Sequence, residues 1–225
     1  MLFVLFRITM SAAAYDHAVY AALPGLGDAR NIFIAHGADN AINGELKGLL
    51  VKHELTDKFG LALLHSHAEI HPYERLTHFG NSAIPISVEE TPPSTLCPCT
   101  WKVTNNGLLP IEFYFSASNT RSALTNETEL AFVEELCKAI IRLKLEDLIG
   151  FSLLANENSG GHHSGVEISE GRCNITLPCA AFKDVEGDDF VDALWIFSPV
   201  GHKKCKKACK IRPGGHAKVH QTTKK

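Results

Sequence analysis

The chain has 225 residues, 45% hydrophobic and 21% charged, with a net charge of −3. That composition excludes a wholly disordered chain and suits one domain with a sizeable buried core. No apolar run reaches the roughly 18–20 residues of a membrane helix, so the sequence reads as a soluble intracellular protein, cytoplasmic or nuclear.

The charge is unevenly placed. Residues 202–225 hold nine Lys and Arg and no acid, leaving thirteen of the 22 basic residues against all 25 acids in the rest. Such a segment can bind a polyanion or a protein partner, or lie on its own acidic body. Nucleic acid is the less favoured partner, because the acidic body repels it and no aromatic residue interleaves the lysines. Among seven cysteines, Cys97 and Cys99 are too close to bridge each other and Cys137 lies on a predicted helix. No disulfide framework emerges, which favours a reducing compartment.

Residues 1–14 read as an extension. Its apolar start is too short for a signal peptide, and Met10 is an alternative initiator. Residues 15–35, with Pro24, Gly25 and Gly27, read as irregular. Ile42, Leu46, Leu49 and Leu50 predict a helix over 40–54. Leu61–Leu64 predicts a buried strand that ends on His65 and His67. Residues 83–88 predict another, with Pro85 suggesting an edge. Thr100–Thr104 and Leu108–Phe115 flank Asn105-Asn106-Gly107, a hairpin signal. A long amphipathic helix is expected over 127–149, capped by Asn126 with Glu129 in capping-box spacing. Strands follow at 151–155, 166–168, 173–177 and 193–197, with a turn at Glu170–Gly171. No internal repeat is evident. The expected architecture is α+β: a mostly antiparallel sheet packed by one long helix (about 127–149). One domain spans 15–200, and residues 201–225 form a basic Cys/His-rich tail. The tail shows no apolar face and is expected to be dispensable for folding.

Two clusters have the residue types of metal sites. His65 and His67 stand two apart at a strand end, where both imidazoles point to one side, and Glu74 is a candidate third ligand. The spacing fits none of the cupin, JAMM metalloprotease or amidohydrolase patterns. In the tail, His202, Cys205, Cys209, His216 and His220 have half-site spacings typical of zinc. Six residues between the halves are too few for a ββα finger.

The run Phe59–His67 with Glu74 resembles a group of uncharacterised fungal proteins. So do Trp101 with Ile111–Phe115, Glu170–Pro178, Trp195–Phe197 and a Cys/His-rich C-terminus. The resemblance implies membership but no activity. The functional expectation is an interaction or regulatory module with a zinc-binding tail, and the alternative is a small metalloenzyme centred on His65 and His67.

Overall fold

The structure is a computed structural model describing residues 7–8, 15–91, 95–105, 107–116, 126–154, 165–178, 190–198 and 203–210, with side chains described for all but 7–8 and 203–206. In chain order the elements are β1 (Arg7–Ile8), α1 (His17–Ala21), α2 (Leu26–Ala35) and α3 (Ala38–Ala41). The last continues through a π-helical turn at Ile42–Leu46 into α4 (Lys47–Lys52). Then come β2 (Phe59–Leu63), β3 (Glu74–Phe79), β4 (Ser82–Ser87), β5 (Leu96–Thr104) and β6 (Gly107–Phe115). After α5 (Glu127–Arg142) follow β7 (Ile149–Leu153), β8 (Gly165–Glu170), β9 (Cys173–Leu177), β10 (Phe190–Phe197) and β11 (Lys203–Lys210).

Several local signals produce the expected elements. The Asn126 side chain accepts from the Glu129 amide at 2.9 Å and starts α5, which buries Phe132, Val133, Leu136, Cys137, Ala139 and Ile140. The helix ends at Arg142 rather than near 149, because Lys144 turns left-handed (φ 57°) and directs the chain into β7. β5 and β6 pair as a hairpin in register Thr104↔Gly107. Residues 15–35 are not irregular. Asp16 caps α1, and Pro24-Gly25 precede α2, which buries Leu26 and Ala29.

A sheet packed by one long helix is overturned. Ten strands close into a barrel in the order β6-β3-β4-β9-β8-β11-β10-β2-β7-β5, with β5 pairing back onto β6. The pairs β3–β6 and β8–β11 are parallel, and the other barrel pairs are antiparallel. Several helices cover one stretch of the wall, not one. Phe59, Leu61, Trp101, Phe151 and Trp195 from the strands pack with Leu26, Ile42, Leu46 and Leu50 as well as with Phe132, Leu136 and Ile140 of α5. The intervening positions Ala62, Thr100, Ser152 and Leu194 face the barrel interior, where they line a cavity. Pro85 sits in β4 beyond the two residues, Ser82 and Ala83, through which β4 pairs with β9, so its missing N–H interrupts no bond there.

The expected tail boundary near residue 200 falls between two paired strands. Lys203–Lys210 is β11, inserted between β10 and β8. Its alternation escapes a hydrophobicity reading because one buried position is Lys207 and another Cys209.

The barrel also contains a duplication that the sequence does not display. Strands β2–β6 map in order onto β7–β11, and the mapping preserves every barrel neighbour and direction. Both strands that open a half follow a helix and a left-handed residue, Glu54 (φ 58°) or Lys144 (φ 57°). The same bonds recur, Leu55 N to Leu50 O and Leu145 N to Ile140 O, both 3.0 Å. Across the β2–β7 seam, Leu64 N donates to Leu148 O and Leu154 N to Lys58 O, both at 2.8 Å. Gly60 and Gly150 hold equivalent places. A Cβ at Gly60 would lie 2.7 Å from the Trp195 carbonyl oxygen, and one at Gly150 2.3 Å from that of Trp101. The β3–β4 and β8–β9 hairpins turn on Gly80 (φ 57°) and Gly171 (φ 60°).

Candidate metal centre

The barrel interior holds an unusual quantity of charge. His67, His78, Glu112, Glu167 and Lys207 are all buried. Burying a charge is costly unless it is paired, and here the pairing is continuous. Lys207 Nζ donates to Glu167 Oε2 at 2.6 Å, and Glu167 Oε1 lies 2.6 Å from His67 Nδ1. His67 Nε2 is 3.0 Å from Glu112 Oε1, and His78 Nε2 is 3.1 Å from Glu112 Oε2. Thr100 Oγ1 donates to Glu112 at 3.0 Å and stands 2.9 Å from the Ser152 hydroxyl.

The electrostatics follow from these partners. Burial alone would depress the His67 pKa, but Glu167 and Glu112 outweigh it and push it up to about 10. Burial would raise both carboxylates, yet His67 and His78 hold Glu112 well below the usual range, and Lys207 and His67 do the same for Glu167. Burial also works against the Lys207 ammonium, and Glu167 with Glu112 overcomes it. Burial pushes the Cys99 thiol well above its ordinary value.

Within this network, two sets of side chains have ligand atoms all within 4.8 Å of one another: His65, His67 and Cys209, and His78, Cys99 and Glu112. All six are buried, and each set could hold a metal ion. His65 and His67 leave β2 side by side, their ring centroids 4.2 Å apart. His65 Nδ1 lies 2.9 Å from the Leu63 carbonyl. A carbonyl can only accept, so Nδ1 carries the proton and, in the neutral ring, Nε2 holds the lone pair. His67 Nε2 is likewise directed at a carboxylate. His65 thus has one nitrogen committed to an oxygen, as metal-bound histidines do, whereas His67 has a carboxylate at each nitrogen. Among the described residues the adjoining cavity is about 30 Å³, lined by His65, His67, Thr100, Glu112, Lys207 and Cys209 among others, which is room for an ion with a water.

The structure regroups the expected site residues. Cys209, expected to bind zinc with other tail residues, has been carried by β11 to His65 and His67. Glu74 is not in either set. It is ion-paired to Arg172 and accepts from the His71 amide at 2.7 Å, and this pairing with Arg172 holds its pKa low against burial. His202, His216 and His220 lie outside the described residues, as does the Cys205 side chain. His78, Cys99, Glu112, Glu167 and Lys207 were missed. Only His78 carried a signal, as one of four histidines between residues 65 and 78.

Comparison with known proteins finds no matching family model, curated protein or solved structure. Among the described residues, no helix is long and apolar enough to cross a membrane.

Proposed function

We propose that this barrel is a metalloprotein whose interior binds zinc through His65, His67 and Cys209. The reading rests on one observation: two adjacent imidazoles and a thiol, far apart in the chain, converge in a buried pocket with the His65 tautomer set by the Leu63 carbonyl. Imidazole with thiolate is a donor set that suits zinc. The ligands are His65 Nε2, His67 Nδ1 and Cys209 Sγ. On binding, His67 would release its Nδ1 proton to solvent and keep its Nε2–H bond to Glu112, and Glu167 would stay beside the ion. Three protein ligands leave a fourth position for water, the arrangement of catalytic rather than structural zinc sites, so the reading leads toward a small metalloenzyme. Glu167, 3.9 Å from Cys209 Sγ and ion-paired to Lys207, would stand beside the ion as a charged neighbour.

The test is elemental analysis of tag-free protein beside His65→Ala and Cys209→Ala variants. The expected result is zinc in the wild type and one equivalent less in each variant. Equal metal content in all three overturns the assignment.

A further inference from the structure

The duplication allows the two halves to be compared residue by residue inside the barrel. Aligned on their hairpin turns, Glu74–Phe79 lies over Gly165–Glu170 and His78 over Ser169; aligned on the pairing with β6 and β11, His78 beside Tyr114 matches Glu167 beside Cys209. Both β5 and β10 carry an irregularity at the same place. Cys99 is skipped between Pro98 and Thr100, and Ala193 between Asp192 and Leu194. The residue after each skipped position pairs across the sheet, Thr100 with Glu112 and Leu194 with Lys207. On the hairpin alignment the set His78, Cys99 and Glu112 is answered in the other half by Ser169, Ala193 and Lys207; on the pairing with β6 and β11, Glu167, ion-paired to Lys207, stands for His78.

That exchange is chemically directed. A histidine, a thiol and a carboxylate, all metal donors, stand in one half. The other offers a hydroxyl, a methyl and an ammonium. Lys207 brings its own positive charge to Glu167. At the matching place in the first half Glu112 is ion-paired to the imidazoles of His67 and His78. We propose that His78, Cys99 and Glu112 form a second metal site, for a borderline transition-metal ion such as zinc, separate from the ion at His65, His67 and Cys209. Histidine, thiolate and carboxylate together match that class of ion. Cys99 loses its thiol proton to solvent on binding, and no redox change is involved. Glu112 would ligate this ion through Oε2 while Oε1 still accepts from His67, so one carboxylate links the two sites without being shared as a ligand.

Cobalt(II) titration of chelator-stripped, tag-free protein tests this, because a cysteine-bound cobalt ion gives a sulfur-to-metal absorption band in the near ultraviolet. Cys99→Ala and His78→Ser are suitable variants, since each installs the residue that the other half carries at the equivalent position on the hairpin alignment. Wild type should take two equivalents, one for each ligand set. Cys99→Ala and His78→Ser should each take one. Cys209→Ala should keep one equivalent with a sulfur band that arises from Cys99. If Cys99→Ala and His78→Ser bind as much cobalt as the wild type, or if Cys209→Ala abolishes the sulfur band, the second site is overturned. Those outcomes leave the His65 site standing. A wild type that binds a single ion, with a sulfur band that survives Cys209→Ala and vanishes in Cys99→Ala, would instead overturn the proposed function and keep this one.

Discussion

The two halves of the barrel share a backbone and differ in what they bury. Strands β2–β6 and β7–β11 repeat helix exit, seam bonds, close-approach glycine, glycine hairpin and bulge at matching places. Yet the first half turns His78, Cys99 and Glu112 toward the interior, where the second turns Ser169, Ala193 and Lys207. The shared features are those demanded by geometry: a left-handed turn, or a carbonyl too near for any Cβ. The differing features are the ones with chemistry. A closed barrel fixes its wall tightly and leaves the lining free to diverge.

The comparison breaks most severely if the second half cannot close. A chain ending at Val200 lacks β11, which lies between β10 and β8 and carries buried Lys207, Ala208 and Cys209. It should lose its cooperative thermal transition, and a native-like melt would refute barrel closure through β11.

The next effect concerns the charge that distinguishes the halves. Lys207→Met leaves Glu167 with His67 as a cationic partner but without its ammonium, and removing one partner of a buried pair costs up to about 3–5 kcal/mol. Denaturant unfolding should show that loss, with much of it regained in Lys207→Met/Glu167→Leu. Absence of any recovery would mean that Lys207 acts mainly through packing.

Gly150→Ala and Gly60→Ala should each cost about 1–3 kcal/mol from overpacking. Gly150 should be the worse, because its Cβ would lie closer to a carbonyl. A reversed order would break the equivalence of the two seams.

The pH profile of metal-free protein sharpens the account of His67. Its folded pKa, about 10, lies above the ordinary 6.5, so the imidazolium stabilises the fold in full below pH 6.5. That contribution is lost as pH rises through 10, at up to about 1.4 kcal/mol per pH unit. Glu112 and Glu167 have the opposite sign: their lowered pKa values give stability above pH 4.5 that is lost on acidification. His67→Gln should flatten the alkaline limb, and an unchanged limb would assign it to another group.

The smallest effect is at the second half's entry helix, where Asn126→Ala should cost about 1 kcal/mol, measured by thermal melting.

The sequence disclosed whatever rests on local rules. The Asn126 cap, the β5–β6 hairpin and the apolar run of β2 delivering His65 and His67 were all legible. Barrel closure was not, because β8–β11 and β3–β6 are joined in parallel across long sequence separations. The repeat stayed hidden because backbone geometry is preserved where side chains are not, as at Glu112 and Lys207. Cys209 read as part of a tail because β11 buries a lysine, which contradicts ordinary hydrophobic alternation. The metal clue itself was legible in kind, histidine and cysteine, but its true grouping depended on contacts between residues 65 and 209.

The most direct test is zinc K-edge X-ray absorption of the tag-free Cys99→Ala protein, which isolates the His65, His67 and Cys209 site. The account predicts one sulfur at about 2.3 Å and two imidazole nitrogens at about 2.0–2.1 Å, with the remaining position filled by oxygen. A zinc shell without sulfur, or a protein that holds no zinc, would contradict it.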